Sequence, residues 1–283
     1  VDFLNGGNPT LKATTARVYT LGADLKFGSQ NAGQAGMTYF RISQTDKVVN
    51  PFADAVDVLL DRARWGSLVT LNTTVAQVEA ALALSTENVL PVPFNPADVK
   101  AIADFRLINA GEVLVDGIDF NAHYRFDTGL GLITPSAQLT YYAHNLQQLT
   151  SLSPSIENAG QLYSPARLRA QASLAWARGP WSAISTLNYT GGLEDTLDVG
   201  CLPPLPSCRV VSWTTVDLSV RYALGQTSPR SLLSGTSINL SAINLLGRDP
   251  PRVNDSATIR YGFDPTNATG LGRFVSLDLR KRW

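Results

Sequence analysis

The chain has 283 residues, with 23 Lys and Arg against 23 Asp and Glu, 44% hydrophobic residues and only 16% charged ones, where a typical soluble domain carries about 25% charged. Zero formal net charge, with Lys and Arg scattered rather than clustered, removes the electrostatic case for nucleic acid as a partner. No run of about 18 apolar residues occurs, so any membrane contact must be made through strands rather than helices.

The opening VDFLNGGNP has neither a positively charged start nor an apolar stretch, so an exported protein would have its true start elsewhere. Residues 1–15 are rich in Asn, Gly, Pro and Thr and read as loop. Tyr19, Leu21, Ala23, Leu25 and Phe27 then alternate with Thr20, Gly22, Asp24 and Lys26, which predicts a strand with one apolar face. After the turn GSQNAGQAG, a second strand runs from about Met37 to Asp46.

From Asn50 to about Lys100 the periodicity becomes helical. Ala55, Val56, Leu59, Leu60 and Ala63 fall at helical spacing within Phe52 to Arg64. A second helix is expected over Val75 to Leu84, capped by Asn72 or Thr73, and a third helical turn at NPADVKAIAD with Pro96 in its first position. A segment of this size between two strands reads as a large folded loop on one rim.

Alternation then resumes. Ile118, Phe120, Ala122, Tyr124 and Phe126 oppose Gly117, Asp119, Asn121, His123 and Arg125, and a run through Ala137, Leu139, Tyr141 and Ala143 follows the turn DTGLG. His144 to Ser164 reads as a polar loop. Leu168 to Trp176 and Trp181 to Tyr189 flank the tight ARGPW turn; Val216 to Leu224 and Ile238 to Ala242 complete the series before the Pro-rich and Asn-rich loop from Arg248 to Leu271.

The last thirteen residues, LGRFVSLDLRKRW, place Val275, Leu277, Leu279, Lys281 and Trp283 on one face against Phe274, Ser276, Asp278, Arg280 and Arg282. The total is about nine strands of about ten residues, the length of a tilted strand that crosses a bilayer. Connections alternate short and long, as in antiparallel membrane barrels whose two rims carry turns and loops respectively. Trp176, Trp181, Trp213 and Trp283 lie near strand ends, where interfacial girdles belong.

Cys201 and Cys208 enclose LPPLPS, a spacing that fits neither a CxxC redox pair nor a zinc knuckle. A short disulfide-closed loop in an oxidising compartment is the simplest reading, with two unpaired thiols as the alternative. Asp119 and His123 share a face but sit four residues apart, about 13 Å along an ideal strand. That is too far for a nucleophile and its base, so the expectation is a polar lining role and no enzyme. Arg167 and Arg169 read as lumen or rim charges rather than a phosphate clamp. Nothing in the sequence implies a cofactor or a metal.

Several stretches resemble the C-terminal part of TonB-dependent outer-membrane receptors. NPTLKATTARVYTLGADL is similar to the family's Asn-Pro segment leading into a Tyr, Thr, Leu, Gly strand, although Lys12-Ala13-Thr14 departs from the usual Pro-Glu. AIADFRLINAGEVLVDGIDFNAHYRF resembles the family's long strand, with Asn-x-Gly followed by Gly-Ile-Asp. The strongest resemblance is in LSAINLLGRDPPRVNDSATIRYGFDPTNATGLGRFVSLDLRKRW, whose Asn-Leu-Leu, Asp-Pro-Pro, Tyr-Gly-Phe-Asp-Pro-Thr-Asn and Leu-Gly-Arg-Phe elements keep the family's order.

The resemblance implies an all-β fold: an antiparallel transmembrane β-barrel of about 22 strands, represented here by roughly the nine C-terminal ones, with residues 50–100 as a partly helical extracellular loop. The plug domain and early strands would lie outside residues 1–283. It implies energy-coupled import of a scarce ligand such as an iron-siderophore, cobalamin or an oligosaccharide. The implied partners are outer-membrane lipid, the TonB complex acting through the plug, and the barrel-assembly machinery. Arg62, Arg64, Trp65, Tyr163 and Tyr261 are then candidates for ligand contact, against the alternative that they pack their own loops. Val275, Leu277, Leu279 and Trp283 resemble the terminal assembly signal, and Lys281 reads as a snorkelling interfacial residue. A passive porin and a soluble β-sandwich remain the alternatives.

Overall fold

The computed structural model describes residues 2–29, 32–50, 66–84, 93–109, 111–148, 154–195, 208–224, 234–253 and 262–281. Nine long strands carry the fold: β1 Thr15–Phe27, β2 Gly33–Thr45, β3 Glu112–Tyr124, β4 Gly131–Gln147, β5 Leu168–Arg178, β6 Trp181–Thr190, β7 Trp213–Leu224, β8 Thr236–Ile243 and β9 Phe274–Lys281. They lie in one sheet in chain order, each beside the strand before it, and β4 through β9 pair antiparallel throughout. The sheet is open, with β1 and β9 at its two ends.

Strand order and loop length together give the sheet two unlike rims. Residues 28–32, 125–130, 179–180 and 225–235 connect strands at one rim; 46–111, 148–167, 191–212 and 244–273 connect them at the other. The alternation holds at every connection, as the sequence predicts. Aromatic side chains gather at the short-turn rim. Phe27 stacks on Tyr124 with centroids 5.7 Å apart, Tyr124 meets Phe126 at 4.4 Å, and Trp181 meets Tyr222 at 4.6 Å. Trp176 donates its Nε1 hydrogen to the Leu130 carbonyl at 2.9 Å. Trp213 departs from the girdle expectation. It opens β7 opposite Thr190, in the register of the polar face, because its odd position falls out of step with Val216, Leu218 and Val220.

The two faces of the sheet follow from the registers. Leu277 pairs with Leu240 and Leu240 with Val220; Leu187 lies beside Val216 and Ala172; Leu174 lies beside Ser185. Among the described residues no layer lies over this apolar face. Leu174 on β5 and Leu240 on β8, each with a strand on either side, are 52% exposed, and Leu277 on β9 is 72% exposed. A fully buried leucine gains about 1.5–3 kcal/mol over one left in water. Row after row of such side chains is therefore stable only against a second apolar phase.

The chain divides into two compact units, residues 1–18, 42–115 and 145–157 in the first and 19–41, 116–144 and 158–283 in the second. In the first, Asp2–Gly6 pairs parallel with Ala101–Arg106, which also pairs antiparallel with Val69–Leu71. Both segments correct the sequence reading, which has loop over residues 1–15 and a helical turn running on into Ala101. The 3-10 turn at Pro96–Asp98 is present, capped by the Asn95 side chain accepting from the Ala97 amide, but it stops at once. Ala101–Arg106 is the central strand of this small sheet. Ile102 packs with Val78, Ala81 and Val99 on one side, while Ala103 and the fully buried Phe105 face Val49, Leu68 and Val69 on the other. A strand buried on both faces reads as a continuous apolar run, without the alternation that betrays a strand.

Helix α1, Val75–Leu84, forms where its periodicity predicts. Its cap is Thr74 rather than Asn72 or Thr73. The Thr74 hydroxyl accepts from the Gln77 amide at 3.3 Å and the Gln77 side-chain oxygen accepts from the Thr74 amide at 2.9 Å, a reciprocal capping box. Thr73 instead donates to the Val99 carbonyl, and Asn72 takes a left-handed φ of 52° while its amide donates to the Lys100 carbonyl. The helix expected over Phe52 to Arg64 lies outside the described residues. Within His144 to Ser164, β4 runs on to Gln147, and Leu146 and Gln147 pair with Ile156–Glu157, so part of that predicted loop is strand.

Candidate functional site

The face opposite the exposed leucines is polar and bonded within itself. Gln171 donates from Nε2 to the Asn188 oxygen at 2.8 Å, and Asn188 donates from Nδ2 to the Asp217 carboxylate at 2.8 Å. Ser173 and Thr186 share a hydrogen bond at 3.0 Å, Ser219 donates to Asn239 at 2.8 Å, and Thr140 donates to Asp119 at 2.7 Å. Each link joins adjacent strands: one ties β3 to β4, and a ladder runs crosswise from β5 through β6 and β7 to β8. A cavity of about 340 Å³ opens on this face, lined by Gln138, Thr140, Arg169, Gln171, Asn188 and Thr190 among others.

At the long-loop rim, a compact cluster of Leu162, Ala166, Leu193, Val210 and Val253 holds segments distant in sequence together. Two buried polar residues from the Phe-Asp-Pro-Thr-Asn stretch fasten it. The Asp264 carboxylate accepts from the amides of Tyr163 and Thr266 and from Asn267 Nδ2. Asn267 also accepts from the Ala166 amide at 3.1 Å and from Arg169 Nη2 at 2.7 Å, and donates to the Ser164 carbonyl at 2.7 Å. Asp217 makes a second junction: one carboxylate oxygen takes Asn188, the other takes the Asn244 amide at 2.8 Å. The buried Asn244 sits at a φ of 49° and closes its own turn with Arg248.

The candidate residues fare as follows. Tyr163 is held at a φ of 62°, its amide bonded to Asp264 and its side chain packed on the apolar cluster. Val275, Leu277 and Leu279 lie together on the exposed face of β9. Lys281 donates from Nζ to the Ser234 carbonyl at 2.6 Å, which ties the end of β9 to the preceding turn. Cys208 begins a short strand whose backbone pairs with Asp195. Arg62, Arg64, Trp65, Cys201, Tyr261 and Trp283 lie outside the described residues. Asp119 is bonded to Thr140 rather than brought to His123.

Sequence reasoning missed Gln171, Asn188, Asp217, Asn244, Asp264 and Asn267 as a connected set. The signal available was the polar half of each alternating strand. Which polar residues meet across strands depends on register, which no single strand reveals. A further pair, Asp116 and His144, lies 2.8 Å apart, and Tyr39 reaches the other Asp116 oxygen at 3.4 Å. In the first unit, outside the nine long strands, Arg106 forks Asp104 through Nε at 2.9 Å and Nη2 at 2.6 Å. The side-chain hydrogen bonds from Arg106 hold the Asp104 carboxyl below the usual carboxylate range in spite of partial burial, and Asp104 raises Arg106 in return.

With an exposed apolar face, a bonded polar face, an aromatic rim and long loops on one side only, comparison with known proteins becomes informative. A search of curated sequences finds no match. Among solved structures, the ferric enterobactin receptor PfeA of Pseudomonas aeruginosa, in complex with enterobactin, is similar with a TM-score of 0.56 at 17% identity, over 96% of this chain and 32% of that one. The FrpB iron transporter of Neisseria meningitidis is similar with a TM-score of 0.54 at 14% identity, over 98% of this chain and 31% of that one. Likeness at these identities concerns the fold, and the chain spans about a third of the length of these proteins. The family model for the TonB dependent receptor-like beta-barrel matches residues 1–245, and the chain therefore belongs to that family.

Proposed function

We propose that the nine strands are part of the barrel wall of a TonB-dependent receptor in the bacterial outer membrane, the C-terminal part by their motif order, and that the protein imports a scarce small molecule by energy-coupled transport. The observation that carries this reading is the apolar face left uncovered among the described residues, with Leu174 and Leu240 half-exposed on strands that have neighbours on both sides, while the opposite face closes on itself through cross-strand hydrogen bonds. A soluble sandwich would place a second layer over those leucines. In this reading lipid covers the apolar face, the aromatic rim from Phe27 to Tyr222 lies at the periplasmic interface, and the polar face lines the lumen.

The remaining strands and a plug domain that contacts TonB would complete the transporter. Residues 46–111, with helix α1 and the small mixed sheet, would be an extracellular loop. Val275, Leu277 and Leu279 would present the terminal signal to the barrel-assembly machinery. An iron-siderophore, cobalamin and an oligosaccharide are all cargoes this architecture accommodates. The experiment is whole-cell labelling with a membrane-impermeant thiol reagent, applied to single cysteines at Glu79 on α1 and at Gly179 in a short turn, each introduced where Cys201 and Cys208 have been replaced by Ser. Labelling of Glu79→Cys without labelling of Gly179→Cys supports the reading. The reverse pattern, or recovery of the protein outside the outer-membrane fraction, defeats it.

A further inference from the structure

We infer that the cavity between β4, β5 and β6 on the polar face binds a neutral, hydroxyl-rich ligand, an oligosaccharide chain, in preference to an anionic iron chelate; the inference rests on the receptor reading above. The lining chemistry points this way first. Gln138, Gln171 and Asn188 supply amides, and Thr140 and Thr190 supply hydroxyls. Such groups carry the same neutral donors and acceptors as sugar hydroxyls.

Orientation is fixed in advance. Because Gln171 Nε2 is bonded to the Asn188 oxygen, and Asn188 Nδ2 to Asp217, the two amides are held in one rotation each. Gln171 therefore keeps its carbonyl oxygen for a ligand hydroxyl. A ligand meeting polar groups already locked in place loses less free energy to ordering them.

Charge is arranged against an anion. The single cation in the lining, Arg169, directs Nη2 to the Asn267 oxygen and the Thr266 carbonyl, and its neighbour Arg167 directs Nη1 to the Ala143 carbonyl. Two carboxylates stand one hydrogen bond behind the lining, Asp119 behind Thr140 and Asp217 behind Asn188. Arg169 and its neighbour Arg167 against Asp119 and Asp217 leave the site without the net positive charge that would draw a multiply charged catecholate complex, while a neutral sugar is indifferent to that balance. The position of Arg169 adds a consequence. It is both part of the cavity and the bond that secures Asn267, so a ligand drawing on its guanidinium pulls against the clamp on the 262–268 segment.

The test uses the protein as its gene encodes it, extracted from the outer membrane in detergent. It is applied to an array of neutral and acidic glycans and, separately, titrated with ferric enterobactin while protein fluorescence is followed. Retention of neutral glycans is expected, weakened about tenfold or more in the Gln171→Ala, Asn188→Ala double variant, with no saturable quenching by ferric enterobactin. Asp119→Asn, which removes a carboxylate and leaves the amides, should keep glycan retention. Failure of every neutral glycan to bind overturns the inference, as does ferric enterobactin binding that the double variant abolishes. Outer-membrane recovery and heat-modifiable gel mobility are scored apart: a protein absent from that membrane defeats the receptor reading, whereas an embedded one without glycan binding defeats only this inference.

Discussion

Arg169 and Asn267 are 98 residues apart in the chain, yet Arg169 Nη2 donates to Asn267 Oδ1 at 2.7 Å. The same oxygen accepts the Ala166 amide, and the Asn267 amide nitrogen serves Asp264 and Ser164. One buried side chain thus joins β5, the segment before it and the final loop.

Replacing Asn267 with Ala leaves the Ala166 amide and part of the Asp264 carboxylate unsatisfied in a buried setting, at about 1–3 kcal/mol for each group so stranded. The effect should be local. Limited proteolysis in detergent is expected to cut within residues 158–168 and 262–268 in the variant and spare them in the parent, while heat-modifiable mobility of the barrel is retained. Equal resistance in both proteins would show that the apolar cluster around Leu162 and Leu193 holds the rim unaided.

Faces of the sheet can be tested against each other. Leu240 lies on the apolar face of β8, and Ser276 on the polar face of the neighbouring β9, paired with Ser241. A Lys facing lipid near mid-bilayer costs about 2–4 kcal/mol, whereas an exposed polar-face position tolerates change within about 0.5 kcal/mol. Leu240→Lys should therefore lower the assembled fraction in the outer membrane sharply, and Ser276→Lys should leave it near the parental level. A sheet with water on both faces would show no such contrast, since a Lys is welcome on either.

The Asp104–Arg106 pair gives the first unit a signed pH dependence. The carboxyl is lowered by its hydrogen bonds to Arg106, so its contribution is present above the unfolded carboxylate value of about 3.9 and is lost as pH falls through the lower folded value. The Asp104 side chain is 35% exposed, and solvent screening keeps the contribution below about 1 kcal/mol. Protection of the amides over Ala101–Arg106, taken relative to their intrinsic exchange at each pH, should fall on acidification in the parent. In Asp104→Asn that fall should be reduced, with lower protection already at neutral pH.

At the start of α1, Thr74→Ala removes one half of the capping box with Gln77. The expected loss is about 1 kcal/mol, read as faster amide exchange at Val78 and Ala81. Thr73→Ala, which loses only the bond to the Val99 carbonyl, should leave the first turn of the helix protected.

Strands with one face in each environment were legible because alternation is a local property: Ile118 to Phe126 and Leu168 to Trp176 announce themselves within ten residues. The parallel pairing of Asp2–Gly6 with Ala101–Arg106 was not, since it joins segments a hundred residues apart and its central strand, buried on both faces, does not alternate. Thr74 was passed over because Asn72 and Thr73 are equally good cap formers in sequence; only the bonds of those two to the neighbouring strand-entry segment decide it. The polar ladder through Gln171, Asn188 and Asp217 needs two registers at once, β5 on β6 and β6 on β7. For Tyr163, the sequence offers both a ligand contact and loop packing, and the bond that holds its left-handed backbone comes from Asp264, 101 residues away, which no local pattern reveals.

Gly117, in the Gly-Ile-Asp stretch that resembles a family motif, supplies the last test. A Cβ built there would lie 2.2 Å from the Tyr141 carbonyl oxygen and 2.8 Å from the Phe40 ring. The ring could swing aside, but the carbonyl belongs to the backbone of β4 and cannot yield without moving the strand. Glycine is thus required by close approach rather than by turn geometry. Gly117→Ala should force β3 away from β4 at this point and disturb the neighbouring Thr140 to Asp119 bond, at an overpacking cost of about 1–3 kcal/mol. The expected readout is a lowered unfolding temperature and faster amide exchange in β3 and β4, with β7 to β9 unchanged. Gly129→Ala, where nothing lies within 4 Å of the added carbon, serves as the control, and a Gly117→Ala protein as stable as that control would remove close approach as the reason for the glycine.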